Sequence, residues 1–236
     1  MIAKVTNTAP AQALLALRNP LLRALQDRKP LLTALLFAAL TSCSILPERE
    51  PNTIYEPARP SAPAVSQGPR VNWSLVLPRP IANLMLDSES ILVRPAAGSL
   101  QVYKGAQWSD AAPNVFQTAL LRHFEDSGKI LAVARPGGGV GGDYQLQTEL
   151  RTFESIYAQP GQPSAVIEIY AKLVHNATGR VVAARSFAQR EPAASESVAA
   201  VVDAFSTALN RINAEVAAWT LVSGNQHHGG LAPPAG

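Results

Sequence analysis

One cysteine in 236 residues, Cys43, excludes any intramolecular disulfide and any zinc or iron–sulfur site built on several thiolates. Charge is also scarce, with 16% Asp, Glu, Lys and Arg where about a quarter is usual, and aromatic residues make up only 6%. The apolar fraction of 47% nevertheless excludes a wholly disordered chain and suffices for one core of roughly 150 residues. What the sequence has in excess is proline, at 19 residues, and a formal charge of +3 with a pI near 9.2. The meaning of that charge depends on its location.

The cations crowd the N-terminus. Residues 1–29 carry Lys4, Arg18, Arg23, Arg28 and Lys29 against Asp27 alone, and an apolar run from Leu31 to Leu40 follows. A basic segment preceding about ten apolar residues has the layout of a secretory signal. As a helix the run spans only about 15 Å, half of a ~30 Å hydrocarbon core, which makes a transmembrane anchor the weaker reading. Leu40-Thr41-Ser42-Cys43 resembles the bacterial lipobox, an apolar residue and two small residues before a cysteine that receives a diacylglyceryl group. The competing reading is a buried free thiol following a core helix. On the lipobox reading residues 1–42 are a signal peptide and Cys43 is the lipid attachment point. That signal exceeds the usual 15–30 residues, and the only other methionine is Met85. The lipobox resemblance further implies that Ser44, in place of the aspartate that retains Gram-negative lipoproteins in the inner membrane, favours the outer membrane on its periplasmic face.

Removing residues 1–42 leaves fifteen basic and sixteen acidic side chains. The electrostatic footprint of a nucleic-acid-binding protein is then missing, and no such partner is expected. Residues 43–70 contain prolines 47, 51, 57, 60, 63 and 69 and read as an extended tether reaching at most roughly 80 Å.

A domain is expected over 71–223. Trp73–Leu77, Ser90–Arg94 and Leu100–Tyr103 read as strands between turn residues. Asp110 is positioned to cap a helix carrying Phe116, Ala119, Leu120 and Phe124, ending at Gly128 near Lys129. Ile130–Ala134 reads as a short strand and 136–142 as a glycine-rich loop. Tyr144, Leu146, Thr148 and Leu150 alternate with polar residues, and Val166–His175 and Val181–Phe187 flank an Asn176–Gly179 hairpin turn. A final helix over about 195–222 carries Val198, Val202, Phe205, Leu209, Ile212, Val216 and Trp219 as one stripe. Residues 224–236, rich in Gly, His and Pro, are expected to be disordered. The class is α/β or α+β with a mixed sheet; periodicity leaves open whether the helices take opposite faces or one.

No catalytic motif emerges. Gly137–Gly142 precedes a strand rather than a helix and lacks the Gly-Lys-Ser/Thr of a phosphate loop. His123, His175, His227 and His228 lack metal-ligand spacing and read as surface or capping residues. Glu125-Asp126 read as a solvated helix end, and the serines lack a nucleophile elbow. No cofactor or metal is implied.

The order of these pieces resembles the ABC-type transport auxiliary lipoprotein family over about residues 40–222. The resemblance rests on the lipobox, Tyr103-Lys-Gly-Ala-Gln-Trp108-Ser-Asp-Ala-Ala-Pro113, Asp143-Tyr-Gln-Leu146, Leu150-Arg-Thr-Phe153-Glu, Gly179-Arg-Val-Val182 with Phe187, and the helix ending in Trp219. It implies an α/β fold, a three-layer α/β/α sandwich with a mixed sheet, similar to the N-terminal domain of the Tol-Pal system's periplasmic propeller protein. It also implies a periplasmic lipoprotein accompanying an ABC permease and ATPase whose substrate-binding component has an MCE domain, moving phospholipid or other hydrophobic molecules. In that reading the protein is not an enzyme; it docks a partner or further copies of itself. Tyr103 and Trp108 then form a contact or lipid-handling patch, or else pack the junction of strand and helix. An envelope hydrolase and a structural lipoprotein of another envelope assembly are the alternatives.

Overall fold

The computed structural model of the protein describes residues 51–59, 67–139 and 141–231. Cys43 and residues 1–42, expected to be a signal peptide, lie outside the described residues. The chain divides into two units, Met1–Glu50 and Pro51–Gly236, and the second is the domain described below.

Its elements in order are β1 (Thr53–Tyr55), β2 (Ser74–Val76), β3 (Ile81–Ala82), β4 (Ser90–Arg94), β5 (Gln101–Trp108), α1 (Ala112–Ser127), β6 (Ala132–Ala134), β7 (Tyr144–Gln159), β8 (Gln162–His175), β9 (Arg180–Pro192) and α2 (Val198–Leu231). All nine strands join one mixed sheet, and β7 is its spine. One edge of β7 pairs antiparallel with β8 from Tyr144↔His175 to Gln159↔Gln162, and β9 continues outward from β8. The other edge takes three short parallel strands in succession: Leu75↔Tyr144 from β2, Ile81↔Glu149 from β3 and Leu92↔Glu154 from β4. β6 extends the sheet from β2, while β5 and then β1 extend it from β4.

Period-two alternation buries Tyr144, Leu146, Thr148 and Leu150 while Glu149 and Arg151 stay exposed. A register shift between Leu150 and Thr152 then inserts one residue, so the inward series resumes at Phe153, opposite Ile167. On β8 the same face carries Ile167, Ile169, Ala171 and Leu173. Helix α2 lies over β8 and β9 and also packs against α1. The class is therefore the expected α/β fold with a mixed sheet. Of the two layerings that periodicity leaves open, mutual packing of α1 and α2 over one core places both helices on one face. The other side of β7 presents Gln145, Gln147 and Glu149.

Four local expectations change. The helix cap is Ala111, without a side-chain bond, because the Asp110 carboxylate sits one residue early and instead accepts from the Ala111 N–H (2.7 Å) and Asn114 Nδ2 (2.8 Å). Pro113 in the first turn and Gly128 in the left-handed C-cap, at φ 58°, set the helix limits. β5 runs five residues past Tyr103, to Trp108. The tether is not free throughout: β1, within the proline-rich segment, is a parallel edge strand registered Thr53↔Ala106 to Tyr55↔Trp108. Helix α2 also continues to Leu231, through part of the segment expected to be disordered. The hairpin turn is as expected, with Gly179 at φ 65° and its N–H on the His175 carbonyl (2.9 Å).

Candidate functional site

Trp108 ends β5 with no solvent exposure. Its indole stands edge-on to Phe153 of β7 (5.5 Å) and Phe205 of α2 (5.2 Å), and those two rings stack on each other at 4.8 Å. Strand, spine and helix meet there, so Trp108 offers no surface to a partner and the contact reading gives way to the packing one. Tyr103 is half-buried, with its hydroxyl 3.1 Å from Ser155 Oγ. The neighbouring Tyr157 phenol is pushed up to about 12, chiefly by burial and then by its hydrogen bond with Tyr103. Tyr103 and Trp108 are therefore not one patch: the first is a partly open phenol in a polar pair, the second is core.

The segment around β1 is bound to the domain by side chains as well as by the ladder. The Ala58 N–H donates to Ser206 Oγ on α2 (2.9 Å), Arg122 on α1 pairs with Glu56 (3.6 Å), and the Ser109 N–H donates to the Tyr55 carbonyl (2.8 Å). A cleft of about 250 Å³ opens beside this strap, between Glu56, Asp110, Thr118 and Arg122. Farther along, Lys129 Nζ donates to the Gly68 carbonyl (2.8 Å), where the returning chain lies against Ala218 and Leu221 of α2. Next to that contact is a larger groove, about 540 Å³, with Trp219 and Val222 as its apolar part and Arg185 and Glu215 as its charged part. Trp219 stands edge-on to Phe187 at 5.5 Å, and the Arg185 guanidinium lies 4.8 Å from the centre of the same ring. The helical stripe signals Trp219 as core. Its opening onto a groove was not legible, because the Gln67–Gly68 wall comes from a proline-rich stretch without periodicity.

At the start of β7 the histidines and the glycine loop find structural uses. Asp143 accepts from the Ser74 N–H (2.7 Å) and Ser74 Oγ (2.8 Å), which holds its carboxyl below the usual carboxylate range. A Cβ on Gly142 would fall 2.6 Å from Val76 Cγ2, so glycine there permits close strand approach rather than phosphate binding. The Tyr144 hydroxyl bonds His227 Nδ1 (2.9 Å) and donates to the Gly224 carbonyl (3.3 Å). The His175 and His227 rings are 5.0 Å apart, and His175 Nδ1 meets Thr178 Oγ1 in the hairpin turn (3.0 Å). Burial, reinforced by His175, Arg180 and His228, lowers the His227 pKa and favours its neutral ring. His227 thus fastens the end of α2 rather than lying in a loose tail. His123 is partly buried, with its Nε2 unbonded, and burial lowers its pKa despite Asp126; it is not a capping residue. Among the described residues no group of His, Cys, Asp and Glu is placed to hold a metal ion.

The Asp143 contacts give a pH prediction. Because the folded pKa is depressed, this group stabilises the fold fully above the unfolded value of about 3.9 and loses that contribution as pH falls through the folded value. Asp143→Asn retains an acceptor for Ser74 but no charge. Urea midpoints measured from pH 7 to pH 2.5 should show a shallower acid limb in the variant than in the wild type; identical limbs would disprove the linkage.

A mixed α/β domain with one core, a strapped N-terminal edge and an amphipathic groove is the class of molecule this geometry defines. Its relatives narrow that class. The chain belongs to the ABC-type transport auxiliary lipoprotein component family, whose model matches residues 54–217. The crystal structure of protein XCC0632 from Xanthomonas campestris is 43% identical, with a TM-score of 0.71 covering 75% of this chain and 99% of that one. An uncharacterized protein of known crystal structure shares the fold at 14% identity, with a TM-score of 0.56 over 71% of this chain and 97% of its own. Uncharacterized protein bll6063 from Bradyrhizobium diazoefficiens is 31% identical over 150 residues, 64% of this chain; the match spans 40% of that relative's length. The family's description is that of a lipoprotein component auxiliary to ABC-type transport, and this chain spans less than half the length of the curated relative it matches. Among the described residues no helix is long and apolar enough to cross a membrane.

Proposed function

We propose that the mature protein is a lipid-anchored periplasmic auxiliary component of an MCE-type ABC transport system moving phospholipid or other hydrophobic molecules. The family match over residues 54–217 carries this reading. Acylated Cys43 holds the chain in the outer membrane, and the domain works by docking and bridging rather than by catalysis. Its partners are the MCE-domain substrate-binding protein and the permease and ATPase, with further copies of the chain as an additional contact. The residues that look reactive have structural duties: Asp143 holds Ser74, and Tyr144 with His227 closes the end of α2.

Two measurements test the reading separately. Cys43→Ala should abolish acylation and leave the signal uncleaved, as seen in the intact mass; an unchanged mature mass would remove the anchor. Affinity purification of the wild-type protein from detergent-solubilised envelopes should recover MCE-domain and permease subunits. Their complete absence would sink the transport assignment while leaving the anchor intact.

A further inference from the structure

Eight large hydrophobic residues are exposed among the described residues, and three of them fall within five positions: Ile81 at 74%, Leu84 at 87% and Met85 at 48%. They belong to the seven-residue stretch Pro80-Ile-Ala-Asn-Leu-Met-Leu86, which carries no formal charge. Isolated exposed hydrophobics are ordinary, but a local concentration on an uncharged loop marks a contact surface.

The loop is built to hold its shape while showing these side chains. Pro80 and Leu86 are buried at its two ends, and Ile81–Ala82 pairs with Glu149–Leu150 of the spine. Inside the turn, Asn83 Oδ1 accepts from the Met85 and Leu86 N–H groups (both 3.0 Å). The Asp87 N–H donates to the Asn83 carbonyl (2.9 Å), and Ser88 Oγ donates to the Met85 carbonyl (2.7 Å). Arg79 and Asp87 pair across the neck. Backbone groups bonded within the protein are what entry into a hydrocarbon boundary demands, because that medium offers them no replacement partners.

Chain length supplies the second argument. Because β1 is strapped to the domain, only residues 44–52 separate Cys43 from the sheet. Fully extended, that stretch reaches at most about 35 Å, against the roughly 80 Å allowed by a free proline-rich tether of 27 residues. A domain of this size is about 40 Å across. A chain anchored at Cys43 is therefore held close enough for most of the domain surface to touch its own membrane.

We propose that residues 80–86 form a preorganised lipid-contacting loop, with Ile81, Leu84 and Met85 entering the headgroup–acyl boundary of the membrane that holds the anchor. The proximity argument rests on the reading of Cys43 as acylated, and the experiment separates the two claims. The acylated chain carrying Leu84→Trp is reconstituted into phosphatidylethanolamine–phosphatidylglycerol vesicles with and without brominated acyl chains. Leu84 is exposed, so the substitution leaves the core untouched. A loop seated about 5–10 Å into the boundary places the added indole against brominated chains, and its emission, after subtraction of the wild-type signal, falls by roughly half. Val181→Trp, at an exposed site on β9, two strands beyond the spine, should retain its emission.

An unquenched Leu84→Trp overturns the proposal, as does equal quenching at both sites. Leu84→Trp that is unquenched in vesicles but shifts to the blue when the MCE-domain protein is added overturns it in favour of a protein contact. If the intact mass shows no acyl group, the anchor fails on its own evidence. Quenching of the unacylated full chain added to the same vesicles then still decides the loop.

Discussion

Trp108→Ala is expected to lower stability by about 3–5 kcal/mol, the range for emptying a fully buried large aromatic site. The size follows from position: the indole touches Phe153 on the spine and Phe205 on α2, so its loss opens a void that neither the strand nor the helix can fill alone. Trp108→Phe should cost much less. The indole N–H is buried without a hydrogen-bond partner, so replacing it by a benzene ring surrenders shape and ring contacts but no bond. Denaturant midpoints with unchanged m-values would give both numbers. A Trp108→Ala loss below about 1 kcal/mol would contradict the core assignment. A partner-binding defect at full stability would restore the contact reading.

What the sequence could and could not disclose follows from where the information lies. The β8–β9 hairpin was legible because alternation and the Asn176–Gly179 turn are local signals that agree. The apolar stripe of α2 was legible because its seven expected positions recur at steps of three and four. β1 was not: a three-residue edge strand needs only a backbone partner, and its neighbours are prolines chosen by no periodic rule. The bulge after Leu150 was hidden because one inserted residue breaks the alternation that would reveal it.

The site was less legible than the fold. Tyr103 and Trp108 lie on one strand, and the sequence leaves open whether they form a contact patch or pack the junction of strand and helix. Burial separates them, since Trp108 faces the core under α2 while Tyr103 bonds Ser155 nearer the rim. The groove beside Trp219 and the loop at 80–86 depend on chain segments folding back against distant elements. A run such as Ile-Ala-Asn-Leu-Met-Leu carries no mark of its own exposure, which the fold alone decides.

The C-terminal end of α2 gives a prediction in which one kind of substitution acts in opposite directions. Glycine in a helix interior ordinarily costs up to about 1 kcal/mol relative to alanine, so Gly→Ala should stabilise wherever a methyl fits. At Gly229 nothing lies within 4 Å of where the added methyl would sit, and Gly229→Ala should gain a few tenths of a kcal/mol to about 1 kcal/mol. At Gly224 the added Cβ would fall 2.4 Å from Trp73 Cζ2 and 2.9 Å from Cη2, and Trp73 is fully buried. The indole also stands edge-on to Tyr144 at 4.8 Å, so it has little room to retreat. Gly224→Ala should therefore destabilise by about 1–3 kcal/mol through overpacking, despite its better helix propensity. The displaced turn would also part the Tyr144 hydroxyl from the Gly224 carbonyl and His227, so hydrogen exchange should rise selectively over residues 222–231. Equal stabilisation by both variants would mean that α2 does not pack on Trp73. The opposite signs would show that Gly224 is the residue that lets the helix continue past an indole.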